Sequence, residues 1–249
     1  MATGFVLCCG VNAHGDEATV AVASNFMLAA NQLEEAFELE TEHKLNLVFG
    51  SSGRFYAQIS NGAPFDVFLS ADQDKPRALI ENKLAASNSL FTYALGSLVL
   101  WSHAEDVVNE SSDVLNSDRF SKLAIANERV APYGVAAEEV ITTLNLMTQV
   151  RSRLVRGENI SQTFQFVSTG NAELGFVARS QVYREDTLIS GSAWDVPANL
   201  HNPIRQDAVL LTRAVENTAA LSFLEFLASD RGREIIQSFG YELENQHGI

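Results

Sequence analysis

The sequence is poor in cysteine, proline and positive charge. Its 249 residues include two cysteines and five prolines, and 17 Lys and Arg stand against 31 Asp and Glu, which gives a formal net charge of −14. Two cysteines exclude a disulfide-dense scaffold, and a hydrophobic share of 46% excludes a disordered chain. The scarcity of Lys and Arg argues against binding to nucleic acids or to anionic membranes, because both need clustered positive charge.

The N-terminus is the one segment that reads as a targeting signal. Both cysteines, Cys8 and Cys9, lie within it, and a cysteine-free body suits an oxidising compartment. The apolar stretch 4–11 is followed by polar residues, as in a secretory signal, although the usual basic start is missing. We therefore interpret residues 1–17 as a leader and predict a periplasmic protein. Lipidation is a weaker hypothesis, because Cys8 rather than a small residue precedes Cys9. A frayed tail is the simplest alternative.

From residue 18 onward, short β-branched runs alternate with amphipathic patterns. The run 19–23 precedes apolar residues at helical spacing over 26–42. Further strands are predicted at 45–49, 66–70, 122–126, 153–156, 175–178 and 208–211, and further helices near 55–61, 72–80, 133–146, 160–169, 218–228 and 231–239. This alternation predicts βαβ units on mostly parallel sheets flanked by helices.

A longer β-type run over 91–101 interrupts this pattern, and no linker rich in Pro, Gly or Ser divides the chain. We predict two α/β lobes joined by strand-like crossovers near 95–101 and 203–210. The first lobe would comprise 18–97 plus 206–249, and the second 98–205. A single doubly wound domain is the alternative.

Four predicted strand-to-helix junctions carry polar or glycine-rich sequence, at 24–25, 51–53, 131–134 and 159–161. In an open α/β sheet, ligands collect at the carboxyl ends of the strands, where these junctions lie. Helix N-termini there offer free N–H groups and a positive dipole end to an anion. Any one junction is more simply an ordinary helix cap. Several together, with a Ser pair flanked by Gly50 and Gly53, favour a binding cleft.

The residues give little support to an enzyme, a metal site or a bound cofactor. The five histidines stand apart, with no pair at metal-ligand spacing. Ser52 does not lie in a Gly-x-Ser-x-Gly nucleophile elbow, and 170–175 lacks the Lys that a phosphate-binding loop requires. Asp66 and Asp72 could form a carboxylate pair, but we interpret them as solvent-facing or capping residues.

Several motifs resemble the periplasmic molybdate-binding proteins of ABC importers. They are Val-Ala-Val-Ala-Ser-Asn-Phe at 20–26, Gly-Ser-Ser-Gly at 50–53, Tyr-Ala-Gln-Ile at 56–59, Asn-Gly-Ala-Pro at 61–64, Asp-Val-Phe-Leu-Ser-Ala-Asp at 66–72, Ala-Pro-Tyr-Gly at 131–134 and Gly-Phe-Val-Ala at 175–178. The resemblance runs from about residue 18 to the C-terminus and includes Pro203-Ile204. It implies a two-lobed periplasmic binding protein fold of type II, hinged by two crossover strands.

This resemblance also implies the ligand and partners. The lobes would close on a small-molecule oxyanion, molybdate or tungstate, so that the metal is bound only as its oxyanion, without a cofactor. A monomer would deliver the anion to a membrane-embedded ABC permease. A receptor for another tetrahedral oxyanion, such as sulfate, vanadate or chromate, is the alternative, and an effector-binding regulatory domain is a more distant one.

The family's ligand residues map onto five positions. Ser24 and Ser52 match hydroxyl donors of the first lobe. Tyr133 and Ile160 match second-lobe positions that donate backbone N–H groups. Some relatives place a Tyr hydroxyl where this chain has Ala178, whereas Asn25, beside Ser24, resembles the branch of the family in which that residue donates.

Overall fold

The computed structural model describes residues 15–244, which form two lobes, each built on a five-stranded sheet. Most of the predicted leader, with Cys8, Cys9 and the lipidation hypothesis, lies outside the described residues. The first strand begins at Glu17, the last residue assigned to that leader. No helix in the described range is long and apolar enough to cross a membrane.

Lobe 1 contains both ends of the described chain. Its strands are β1 (Glu17–Ala23), β2 (Lys44–Gly50), β3 (Val67–Leu69), β4 (Phe91–Gly96) and β12 (Ile204–Leu210), in the order β2-β1-β3-β12-β4. Its helices are α1 (Met27–Glu40), α2 (Ser52–Ser60), α3 (Asp74–Glu81), α8 (Thr218–Ala228) and α9 (Asp230–Ser238). Val20 and Val22 face the side covered by α1, α8 and α9, whereas Ala21 faces α2 and α3. With both faces covered, the central strand reads as an unbroken apolar run.

Lobe 2 repeats this architecture. Its strands are β5 (Leu98–Ser102), β6 (Leu123–Ala126), β7 (Leu154–Gly157), β8 (Leu174–Ala178) and β11 (Ser192–Asp195), in the order β11-β5-β8-β6-β7. Its helices are α4 (Pro132–Thr143), α5 (Met147–Val150), α6 (Ile160–Ser168) and α7 (Arg179–Val182), and β9 (Tyr183–Arg184) pairs with β10 (Thr187–Leu188) in a small hairpin. Leu100 and Ile125 pack towards α4, and Trp101 and Ala124 pack towards α6.

One strand in each sheet runs against the others, and the chain enters that strand on crossing from the other lobe. β5 is antiparallel to both of its neighbours, and so is β12, whereas the remaining pairings are parallel. The first crossover is short, since β4 ends at Gly96 and β5 begins at Leu98. The return crossover lies between β11 and β12. The predicted two-lobed fold with mostly parallel sheets and two crossovers is therefore confirmed, and a single doubly wound domain is wrong. The lobe boundaries at 97/98 and 205/206 stay a prediction.

The interpretation of Asp66 as a solvent-facing or capping residue is wrong. Its carboxylate is buried, accepts a hydrogen bond from the Thr19 N–H at 2.8 Å and pairs with the Arg213 guanidinium at 2.7 Å. Arg213 lies 147 residues further along the chain, which is why local sequence did not reveal the pair. Asp72 does act as a cap, because its Oδ1 accepts from the Lys75 N–H in the first turn of α3.

Candidate functional site

A small cavity lies between the lobes, where the carboxyl ends of β1 and β2 face the starts of α4 and α6. The space between the atoms that line it is about 190 Å³, including its opening to solvent, so the cavity is small. Its lining residues are Ala23, Ser24, Asn25, Gly50, Ser51, Ser52, Ala71, Ala131, Pro132, Tyr133, Asn159 and Ile160. The structure thus brings all five predicted site residues together around one cavity. That they bind a ligand stays a prediction.

Lobe 1 contributes hydroxyl groups from the turns after β1 and β2. Ser24 and Ser52 are 4% and 1% exposed, so water does not compete freely for them. The Ser52 oxygen accepts a hydrogen bond from the Ala71 N–H at 2.9 Å. In this contact the Ser52 oxygen is the acceptor, so the single proton of its hydroxyl is not used and remains available to donate to another group.

Lobe 2 contributes backbone N–H groups at two helix starts. Proline at position 132 has no N–H, and the Gly134 N–H donates to the Ala131 carbonyl at 2.9 Å. The N–H of Tyr133 has no acceptor inside α4, because the first N–H groups of a helix have no carbonyl one turn earlier to bond to. At α6, the Asn159 side chain accepts from the Gln162 N–H, so Asn159 is an ordinary N-cap. Ile160 is the first residue of α6 and Tyr133 is the second residue of α4. Both residues line the cavity, so their N–H groups lie at helix starts beside it.

The side chain of Asn25 is held by residues behind the cavity. Its Nδ2 donates to the Gln206 Oε1 at 2.8 Å and to the Tyr241 hydroxyl at 3.1 Å, which together use both amide protons. The Tyr241 hydroxyl in turn lies 2.8 Å from the Asn25 carbonyl and 3.0 Å from the Ser180 hydroxyl. In this conformation the only hydrogen-bond donor that Asn25 can offer a ligand is its backbone N–H, which lies within the short 3-10 turn Ser24–Phe26.

Tyr133 reaches from α4 of lobe 2 to both crossovers. A methyl group on Gly96 would collide with the Tyr133 hydroxyl and would lie 2.8 Å from the Gln206 Nε2. That amide nitrogen and the Tyr133 hydroxyl have no partner in hydrogen-bond geometry within the described protein. Burial raises the pKa of Tyr133 well above its usual value, although the neighbouring amide of Gln206 opposes that rise. The phenol therefore stays protonated across the physiological pH range.

The two lobes also touch directly around the cavity. The Gly53 N–H donates to the Val130 carbonyl at 2.8 Å, and the Ser161 hydroxyl donates to the Ser24 carbonyl at 3.0 Å. Glycine is needed at position 53, because a Cβ there would lie 2.8 Å from the Val130 Cα. At the rim, Arg54 of lobe 1 forms an exposed ion pair with Glu158 of lobe 2. The structure is therefore a closed arrangement of the lobes.

None of the lining residues carries a charged side chain, so the cavity presents neutral dipoles. A wider groove of about 830 Å³, including its opening to solvent, adjoins it at Ala71, Ala131 and Pro132. Its lining carries four carboxylates and two cations, so it is less favourable for an anion than the uncharged cavity; these residues are Asp72, Asp74, Glu128, Glu139, Lys75 and Arg205. In residues 15–244, no three His, Cys, Asp or Glu side chains are grouped so that they could hold a metal ion.

Sequence reasoning included Ser51 in the Ser pair of the cleft without naming it among the site residues, and it missed Gln206 and Tyr241. Ser51 lines the cavity beside Ser52, and its place in the Gly-Ser-Ser-Gly motif was a signal that could have singled it out. Gln206 and Tyr241 hold Asn25 from 181 and 216 residues away. Neither has a local motif, so only the folded structure reveals them.

Comparison with known proteins gives consistent matches over nearly the whole chain. The family model described as bacterial extracellular solute-binding protein matches residues 18–242. The curated relatives that carry the name molybdate-binding protein ModA include two that are more than 40% identical to this chain. The one from Azotobacter vinelandii is 45% identical over 244 residues, which cover 98% of this chain and 96% of the relative. The one from Rhodobacter capsulatus is 43% identical over 98% of this chain and 95% of the relative.

Solved structures agree. The periplasmic molybdate-binding protein of Azotobacter vinelandii superposes with a TM-score of 0.89 at 37% identity, over 92% of this chain and 100% of that one. A sulfate-binding protein from Mycobacterium tuberculosis reaches a TM-score of 0.72 at 10% identity, which shows a shared fold alone.

Proposed function

Since the chain belongs to the family of bacterial extracellular solute-binding proteins, we propose that it captures molybdate, or tungstate, between its lobes for delivery to an ABC importer. The observation that carries the proposal is the uncharged cavity where the turns after β1 and β2 meet the starts of α4 and α6. The names of the two relatives above 40% identity support the choice of molybdate.

Neutral donors suffice for a dianion when enough of them converge. A hydrogen bond to a charged group contributes about 1.5–3 kcal/mol, whereas micromolar affinity needs only about 8 kcal/mol in total. Six or so such bonds exceed that figure and offset the desolvation of the anion. A cavity without cations also avoids strong attraction to every passing anion, which favours selection by shape.

We assign the roles within the site as follows. Ser24 and Ser52 donate hydroxyl protons from lobe 1. Tyr133 and Ile160 donate backbone N–H groups from lobe 2, so their side chains need not contact the anion. Asn25 contributes through its backbone N–H, because its amide protons are taken up by Gln206 and Tyr241.

This role places the protein in the periplasm as a monomer with no catalytic function and no resident cofactor. Its partner would be a membrane permease that recognises the closed arrangement of the two lobes, residues 18–97 plus 206–249 and residues 98–205. Direct contacts such as Gly53 to Val130 support a ligand-stabilised closed form. Small-angle scattering tests closure: adding molybdate should reduce the radius of gyration, and identical curves would contradict it.

Isothermal titration of the full chain with molybdate, tungstate and sulfate tests the ligand. We expect heat and tight binding with the first two anions and much weaker binding of sulfate. No heat with molybdate or tungstate would refute the proposal. Preferential binding of sulfate would replace it with a receptor for that anion.

A further inference from the structure

Ser51 carries a buried hydroxyl that the protein itself does not satisfy. The residue is 3% exposed and lines the cavity, yet its Oγ has no hydrogen-bond partner within the described protein. Burying a hydroxyl without a partner is unfavourable, because its hydrogen bonds to water are lost and nothing replaces them. We therefore expect a hydrogen-bond partner for this hydroxyl to be a molecule bound in the cavity.

The position of Ser51 would suit an ordinary role as a helix cap. It is the N-cap residue of α2, where a serine ordinarily accepts a hydrogen bond from the first turn, but its side chain makes no such bond. Elsewhere this chain does cap its helices with side chains: Asn159 bonds to Gln162, Asn217 to Ala220 and Ser229 to Gly232. The hydroxyl of Ser51 is thus withheld from the helix that it precedes.

From this geometry we infer that Ser51 donates a third hydroxyl hydrogen bond to the bound oxyanion, beside Ser24 and Ser52. This inference rests on the proposed function, because it requires an anion in the cavity. Ser51 differs from Ser52, whose oxygen already accepts from the Ala71 N–H. With no protein contact to fix it, the Ser51 hydroxyl is free to rotate towards an anionic oxygen, and that oxygen satisfies the otherwise unpaired proton.

The test is the Ser51→Ala variant, titrated with sodium molybdate and unfolded thermally without ligand. Loss of one hydrogen bond to a charged group should weaken binding about ten- to a hundredfold. The unfolding temperature without ligand should stay unchanged or rise, because a methyl group replaces an unpaired buried hydroxyl. A purely structural serine would show the reverse pattern.

Ser192→Ala provides the matched control. Ser192 is a buried serine of lobe 2 whose hydroxyl accepts from the Val107 and Val108 N–H groups and donates to the Ala104 carbonyl. This variant should lose stability and keep its affinity for molybdate. Molybdate affinity of Ser51→Ala within about twofold of the unmodified protein would overturn the inference, since a lost charge-assisted bond costs more than that.

The two proposals fail in distinguishable ways. If the unmodified protein binds molybdate and Ser52→Ala weakens binding while Ser51→Ala does not, the role of Ser51 alone is refuted. If the unmodified protein binds sulfate or tungstate instead, Ser51→Ala should weaken the binding of that anion about ten- to a hundredfold, and affinity within about twofold of the unmodified protein would overturn the role of Ser51. If it binds none of the three, the proposed function and the role of Ser51 fall together.

Discussion

The hydroxyl of Tyr133 occupies the place where a side chain on Gly96 would begin. Gly96 ends β4 at the first crossover, and Tyr133 is the second residue of α4, the helix that starts at the cavity. The Gln206 amide, on β12 beyond the second crossover, completes the contact. One residue of the candidate site therefore touches both crossovers with its side chain, while its backbone N–H lies at the cavity.

Gly96→Ala should disfavour the closed arrangement, because the new methyl group collides with the Tyr133 hydroxyl. Overpacking of this kind costs about 1–3 kcal/mol, which we expect as lower thermal stability and weaker molybdate binding. Titration and thermal unfolding measure both effects. Adding Tyr133→Phe removes the colliding oxygen and should restore part of the loss. A Gly96→Ala protein with unmodified affinity would show that the hinge absorbs the methyl group.

Ser52→Ala removes the hydroxyl whose proton is free to donate into the cavity. Because the Ala71 N–H then also loses its acceptor, we expect molybdate binding to weaken about ten- to a hundredfold, with a modest loss of stability. Titration and denaturant unfolding separate the two effects. Unchanged affinity would remove Ser52 from the site.

Tyr241→Phe removes the hydroxyl that joins Asn25 of lobe 1 to Ser180 of lobe 2. Neutral hydrogen bonds contribute about 0.5–1.5 kcal/mol each, so we expect roughly two- to tenfold weaker molybdate binding. Tyr56→Phe, on α2 and away from this network, is the control and should bind as the unmodified protein does. Equal affinity in both variants would mean that the network does not influence the site.

Added salt should accelerate the capture of molybdate. The protein carries a formal charge of −14, whereas the cavity lining is uncharged, so the long-range force on a dianion is repulsive. Raising NaCl from ~20 to ~200 mM shortens the Debye length from ~20 Å to ~7 Å and screens that repulsion. Stopped-flow association rates should rise over this range. A rate that falls with salt would indicate attraction by a local positive patch.

Alkaline pH should destabilise the fold at pH values at which the serine hydroxyls and backbone N–H groups of the cavity are still protonated. Burial raises the pKa of Tyr93, Tyr133 and Tyr241. Their contribution to stability is fully present below the unfolded pKa of about 10 and is lost as pH rises, since only the unfolded chain then releases the protons. Urea unfolding from pH ~8 to ~11 should show this decline, and Tyr241→Phe should flatten it. A profile without a decline would contradict burial of these phenols.

Local sequence predicted the elements that depend on periodicity. The alternation of strands and helices matches the observed order, and the last two predicted helices lie within one residue of α8 and α9. The family resemblance, carried by short motifs in order, is confirmed by the relatives. The β-type run 91–101, where a crossover near 95–101 is predicted, divides at Ser97 into β4 of one sheet and β5 of the other.

The candidate site could be predicted only as far as its local motifs reached. Ser24, Ser52, Tyr133 and Ile160 each follow a strand, so the topology of an open α/β sheet brings them together. The state of each hydroxyl depends on distant partners that no motif encodes. The Ser52 oxygen accepts from Ala71, and the Asn25 amide donates to Gln206 and Tyr241. The Ser51 hydroxyl has no partner among residues 15–244, and these differences decide which proton is free.

The position of β12 inside the sheet of lobe 1 sets an order of assembly. Lobe 2 is one continuous segment, so its sheet can form once the chain has been made as far as β11. Lobe 1 starts first but lacks the strand between β3 and β4, and the helices α8 and α9 of its core, until the end of synthesis. Domains fold as their segments emerge from the ribosome. The lobe that begins the chain is therefore the last to be completed, because its sheet and core need segments from both ends of the described chain.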